Sequence, residues 1–113
     1  RLALPVVVAK ATPLVFRPWA PGARLVPGVW EIPVPAEGEP VTPDVVLSPV
    51  VGFDAGRYRL GYGGGYYDRT LAAMAPRPFV IGVGFALSRL ASIHPQPHDI
   101  PMDLIVTEEG TGP

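Results

Sequence analysis

The chain has no cysteine, which excludes disulfides, thiolate nucleophiles and cysteine-built metal sites and fits a reducing, cytoplasmic setting. It also lacks a dominant charge. Nine Lys and Arg against ten Asp and Glu leave a net charge of −1, so no bulk field draws it to nucleic acid or to an acidic membrane. Long apolar runs are missing too: the opening LALPVVVA is short and interrupted by Pro5, unlike a membrane span. Nor does it show the ordered charged, apolar and small-residue regions of a signal peptide. No internal repeat is visible, and no oligomeric state is implied.

What is present is a high load of turn formers beside a substantial apolar fraction. Sixteen prolines and thirteen glycines accompany 48% hydrophobic residues in 113 positions. That is too apolar for disorder and the right size for a single α/β domain spanning 1–113. The composition predicts short strands joined by many loops.

Leu2 to Ala9 reads as a buried strand edged by Pro5, and Leu14 to Trp19 as a second, exposed one. A chain that opens inside a core strand reads as the C-terminal part of a longer domain. Pro21 to Pro43 is Pro-, Gly- and Glu-rich, a long loop in which only GVWEIPVP offers side chains to bury. DVVLSPVVGFD carries the strongest strand signal, and the run Val45, Val46, Leu47 predicts burial on both faces. Tyr67, Leu71 and Met74 recur at helical spacing, and Pro76 and Pro78 end that helix. FVIGVGF and DLIVT predict two further buried strands, and Glu108 to Pro113 a frayed tail. The order predicts a mostly parallel sheet with right-handed crossovers.

Between the strand at Val45 and the helix lies YRLGYGGGYYDRTL, with four glycines in five residues. Glycine loses the most backbone entropy on folding, so such a cluster needs a reason. A glycine loop opening a helix exposes unpaired amides at the positive end of the dipole, a ready seat for phosphate. The P-loop order is absent and no lysine follows; counted from Gly61, the sixth place of a dinucleotide fingerprint is Tyr66. Arg59 and Arg69 flank the loop, and an arginine fork suits phosphate. Asp68 either complements the helix dipole or holds Mg²⁺; the residues alone leave both open.

FDAGRYRLGYGGGYYDR, with PDVVLSPVVGFD upstream and IPMDLIVTE downstream, resembles the 5-formyltetrahydrofolate cyclo-ligases (5,10-methenyltetrahydrofolate synthetases) over most of the chain. The resemblance implies a three-layer α/β/α sandwich like the sugar-isomerase and CoA-transferase superfamily. It implies ATP- and Mg²⁺-dependent closure of 5-formyltetrahydrofolate to 5,10-methenyltetrahydrofolate, with 5-formyltetrahydrofolate and ATP as the partners. Its ATP-binding stretch becomes Arg59, Leu60, Gly61, Tyr62, Gly63, Gly64, Gly65, Tyr66 and Tyr67, with Arg59 and Tyr66 catalytic. Tyr62, Gly63, Gly64, Gly65, Tyr66 and Trp30 would meet the folate, and Asp68 and Asp103 the metal. Family members carry a further N-terminal portion supplying a lysine and a glutamate to the site, which nothing in this sequence matches. A non-catalytic nucleotide- or folate-binding relative is the alternative.

His94 and His98 have the spacing of a helical zinc pair, but Pro95 and Pro97 forbid the helix. Ser48 has no nucleophile-elbow context. Glu37 and Glu39 read as solvated charges, and Lys10, after the first strand, either faces solvent, the default for a lysine, or reaches a phosphate.

Overall fold

The computed structural model describes residues 1–61 and 65–111. Two strands, β1 (Leu2–Val6) and β2 (Val15–Trp19), pair antiparallel, with Val6 opposite Val15. They are followed by the hairpin β3 (Leu25–Pro27) and β4 (Pro33–Pro35), whose tip is a single 3₁₀ turn at Val29–Glu31. Next come β5 (Val45–Pro49), the short hairpin β6 (Gly52–Phe53) and β7 (Arg59–Leu60), and the helix α1 (Tyr66–Ala73). The chain closes with β8 (Phe79–Val83), β9 (Leu104–Thr107) and β10 (Gly110–Thr111).

The main sheet runs β10-β9-β8-β5. β5, β8 and β9 are mutually parallel, with Val46 opposite Val80 and Gly82 opposite Ile105, while β10 turns back antiparallel on β9. This is a mixed sheet with one α-helix among the described residues, an α/β arrangement. Val46, Val80 and Ile105 face one side of it, where Phe53, Leu71 of α1 and Met102 join Val80 and Ile105 in the core. Leu71 is brought there by the helical spacing seen in the sequence, and Thr70 fixes the other flank of α1. Its hydroxyl accepts the Leu14 amide at 2.7 Å and donates to the Tyr66 carbonyl. A second group of buried side chains, Val6, Leu14, Phe16 and Val34, belongs to the β1–β4 part of the chain.

Four expectations need correction. The segment from Pro21 to Pro43 is not one loop, because Val26 and Val34 pair across a hairpin. β2 is not an exposed strand: Phe16 is buried and bridges Val41. The tail does not fray as far as Thr111, since Gly110 pairs with Thr107 and Thr111 with Val106; residues 112–113 lie outside the described residues. β5 is not covered on both faces. Val45 and Leu47 are 52% and 63% exposed, and Phe79 and Val83 beside them 49% and 44%. Side chains alternate across a strand, and among the described residues no element covers that second face.

Candidate active-site cleft

α1 begins on Gly65, whose φ of 67° lies in the left-handed region that glycine adopts without strain. Among the described residues no side chain caps this helix start. A Cβ on Gly65 would lie 2.8 Å from the Arg69 guanidinium, the movable end of a long side chain, so it is the backbone angle that favours glycine here. The sequence places the helix directly after a glycine loop that follows a strand, and the structure keeps that order. The preceding strand, however, is the two-residue β7 of a small hairpin, not the long β5.

Beside the helix start lies an open cleft of about 1410 Å³. Single-ligand pockets commonly measure about 300–1,000 Å³, so this one has room for two molecules. Its walls differ in character. Val29, Trp30 and Ile32 from the β3–β4 tip, with Pro5 and Val7, form an apolar side; Arg59, Asp68, Arg69, Asp99 and His98 form a charged one. Tyr66 stands where the two meet. Its ring packs edge-to-face on Trp30 with centroids 6.1 Å apart, a favoured aromatic geometry. Trp30 itself is 69% exposed and holds φ 55°, with Glu31 at 59°. Such backbone is costly for side-chain-bearing residues and clusters at ligand sites.

Arg59 is the centre of the charged side. Its side chain is only 7% exposed and sits 3.8 Å from the Asp68 carboxylate. The guanidinium carbon lies 5.0 Å from the Tyr67 ring centre, a cation–π contact. Its Nε is buried with no hydrogen-bond partner among the described residues. Burial raises the Tyr67 phenol above its ordinary pKa of 10.0, the Arg59 charge opposing; the ring therefore stays neutral at physiological pH and serves as a face for the cation.

Of the site residues expected from the sequence, the cleft gathers Trp30, Arg59, Leu60, Gly61, Gly65, Tyr66, Tyr67 and Asp68. Tyr62, Gly63 and Gly64 lie outside the described residues. Asp103 is not brought to the cleft. Its carboxylate accepts the Val80 amide at 2.7 Å and meets Arg77 at 3.6 Å, just before β9 begins. Among the polar cleft residues without such a reading in the sequence are His94, Gln96, His98 and Asp99. They are delivered by the irregular stretch before β9, where the Ile100 amide donates to Asp68 at 3.3 Å. Asp99 itself accepts the Gln96 amide at 2.8 Å and lies 3.4 Å from His98 Nε2. The only sequence signal for it was an aspartate in a turn.

The cleft, its buried arginine and the glycine-led helix coincide with a family match. Residues 1–108 match the model of the 5-formyltetrahydrofolate cyclo-ligase family. The chain belongs to that family. A 5-formyltetrahydrofolate cyclo-ligase of Mycoplasma pneumoniae is 38% identical over 71 residues, which is 63% of this chain and 43% of that protein. Its counterpart in Mycolicibacterium smegmatis is 38% identical over 86 residues, covering 76% and 42%. The fold resembles the solution structure of Aquifex aeolicus 5,10-methenyltetrahydrofolate synthetase, with a TM-score of 0.79 at 33% identity over 97% of this chain and 56% of that one. The Mycoplasma pneumoniae synthetase follows at 0.66, with 28% identity, 91% and 53%. The chain thus spans about half the length of the relatives it matches.

Proposed function

We propose that the cleft binds ATP and 5-formyltetrahydrofolate side by side, as part of an enzyme that closes the folate to 5,10-methenyltetrahydrofolate with release of ADP and phosphate. The buried guanidinium of Arg59 at the charged wall, beside the start of α1, is the observation that carries this reading. A buried cation and the amides of a helix start both favour an anionic ligand. In the proposed reaction the formyl oxygen attacks the γ-phosphorus, N10 adds to the activated carbon, and phosphate leaves with that oxygen. Phosphoryl transfer needs chiefly positioning and charge neutralisation. Arg59 and the amides from Gly65 onward supply both to the phosphates, while Trp30 and Tyr66 offer flat faces to the pterin. Tyr62, Gly63 and Gly64 belong to the same assignment through the family signature.

Mg²⁺ favours one or two carboxylates completed by substrate phosphates. Among the described residues no group of three acidic or histidine side chains gathers, but Asp68 and Asp99 both line the charged wall, which fits that sparse donor set. We assign Asp68 as one ligand and Asp103 as the second through the family signature; Asp99, on the charged wall, is a further carboxylate at hand. Bound there, the ion would offset charge on the phosphates.

We also propose a complete three-layer α/β/α sandwich resembling the sugar-isomerase and CoA-transferase superfamily, and a cytoplasmic location. The bare apolar face of β5 and β8 is where a further helical layer would rest, and the relatives contain length beyond what this chain matches. Among the described residues no helix is long and apolar enough to cross a membrane.

The test is turnover. The full-length protein that carries this chain, given 5-formyltetrahydrofolate, ATP and Mg²⁺, is expected to develop the near-ultraviolet absorbance of the methenyl product. A folded full-length protein that binds both ligands without producing that absorbance would instead be a non-catalytic relative.

A further inference from the structure

We propose that Asp54, a residue outside the cleft lining, is the positioning residue that locks together the two stretches of chain that wall the charged side of the cleft, the one carrying Arg59 and the one carrying Asp99. Asp54 is 5% exposed, and its carboxylate accepts three backbone N–H groups from two separate stretches of chain. One oxygen takes the amides of Gly56 at 3.0 Å and Tyr58 at 3.1 Å; the other takes Ile93 at 3.2 Å. The first two bonds shape the β6–β7 turn one residue before Arg59. The third holds the start of the segment that brings His94, Gln96, His98 and Asp99 to the cleft.

The connections close into a ring. From Asp54 the chain passes through Tyr58 to Arg59, whose guanidinium faces Asp68. Asp68 accepts the Ile100 amide, and residues 93–100 return to Asp54 through Ile93. Leu90 and Phe53 add a parallel backbone bond of 2.8 Å beside it. A carboxylate has acceptor sites enough for all three amides, whereas a neutral amide side chain keeps a single acceptor oxygen. Removing one buried charged acceptor would therefore free both stretches at once, and small displacements of phosphate-contacting groups are costly.

The inference rests on the reading of the cleft as a nucleotide site for its affinity readout, but not for its structural one. In Asp54→Ala, hydrogen exchange at Gly56, Tyr58 and Ile93 is expected to accelerate together, about ten-fold or more, while β8 stays protected; Mg–ATP affinity should fall about ten- to a hundred-fold. Asp54→Asn can keep the two amides on one oxygen and not the third, so it should free Ile93 alone with a smaller loss of affinity. It also serves where the alanine variant fails to fold. Unchanged exchange at Ile93 in folded variants overturns the proposal, as does loosened exchange with affinity within about two-fold of the parent. If the parent itself binds no nucleotide, the cleft assignment fails, and coupled exchange of the two stretches still decides the role of Asp54.

Discussion

Arg59→Ala is expected to weaken Mg–ATP binding by about two orders of magnitude, as measured by calorimetry on folded protein. A hydrogen-bonded charged group in a desolvated site contributes about 1.5–3 kcal/mol, and each 1.4 kcal/mol is a factor of ten. The estimate belongs at the upper end because the guanidinium is almost fully buried, already flanked by the Tyr67 ring, and has an unpartnered Nε. The substitution also leaves Asp68 without its cation, so a stability loss of about 1–3 kcal/mol should accompany it. Arg59→Lys separates the two effects. It restores the charge but not the planar fork, and should recover stability further than affinity. Near-normal nucleotide binding in Arg59→Ala would remove the anionic-ligand assignment.

Phe53→Ala should have the largest effect on the fold. Phe53 is fully buried, in the cluster that also contains Leu71, Val80, Met102 and Ile105. Large-to-small changes at such a site cost about 3–5 kcal/mol, against about 5–15 kcal/mol for a whole domain. A domain with one sheet face bare belongs at the low end of that range, so the variant is expected to be marginally stable, with up to about half of it unfolded by circular dichroism in water. Leu47→Ala is the matching control. Leu47 is 63% exposed on the open face, and its loss should shift the urea midpoint little. Equal effects of the two substitutions would mean the core has been placed on the wrong side of the sheet.

The parts of the molecule that depend on local pattern were readable in the sequence. The apolar runs at Val45, Phe79 and Leu104 became β5, β8 and β9, and the spacing of Tyr67 and Leu71 became α1. Arg59, Tyr66 and Asp68 of the glycine-tyrosine signature and Trp30 of VWEIPVP line one cleft. What was hidden depends on partners distant in sequence. β3 and β4 are three-residue strands punctuated by prolines, and only their mutual pairing makes them strands. Asp99 and His94 are turn residues until Asp54 and Asp68 anchor the segment from opposite ends. Asp103 was expected as a metal ligand through the resemblance of IPMDLIVTE to the family; here it lies outside the cleft lining and meets the amide of Val80 and Arg77. The run Val45 to Leu47 predicted two covered faces, because apolar content reports a need for cover and not the element that provides it.

The cleft assignment is tested most directly by mapping a nonhydrolysable ATP analogue with Mg²⁺ onto the backbone amides by nuclear magnetic resonance. The account predicts the largest shifts at Arg59 to Gly61, at Gly65 to Asp68 and around Asp99. Shifts concentrated instead at the small apolar hollow between Leu14, Val41 and Met74, with the amides at the start of α1 unmoved, would contradict it.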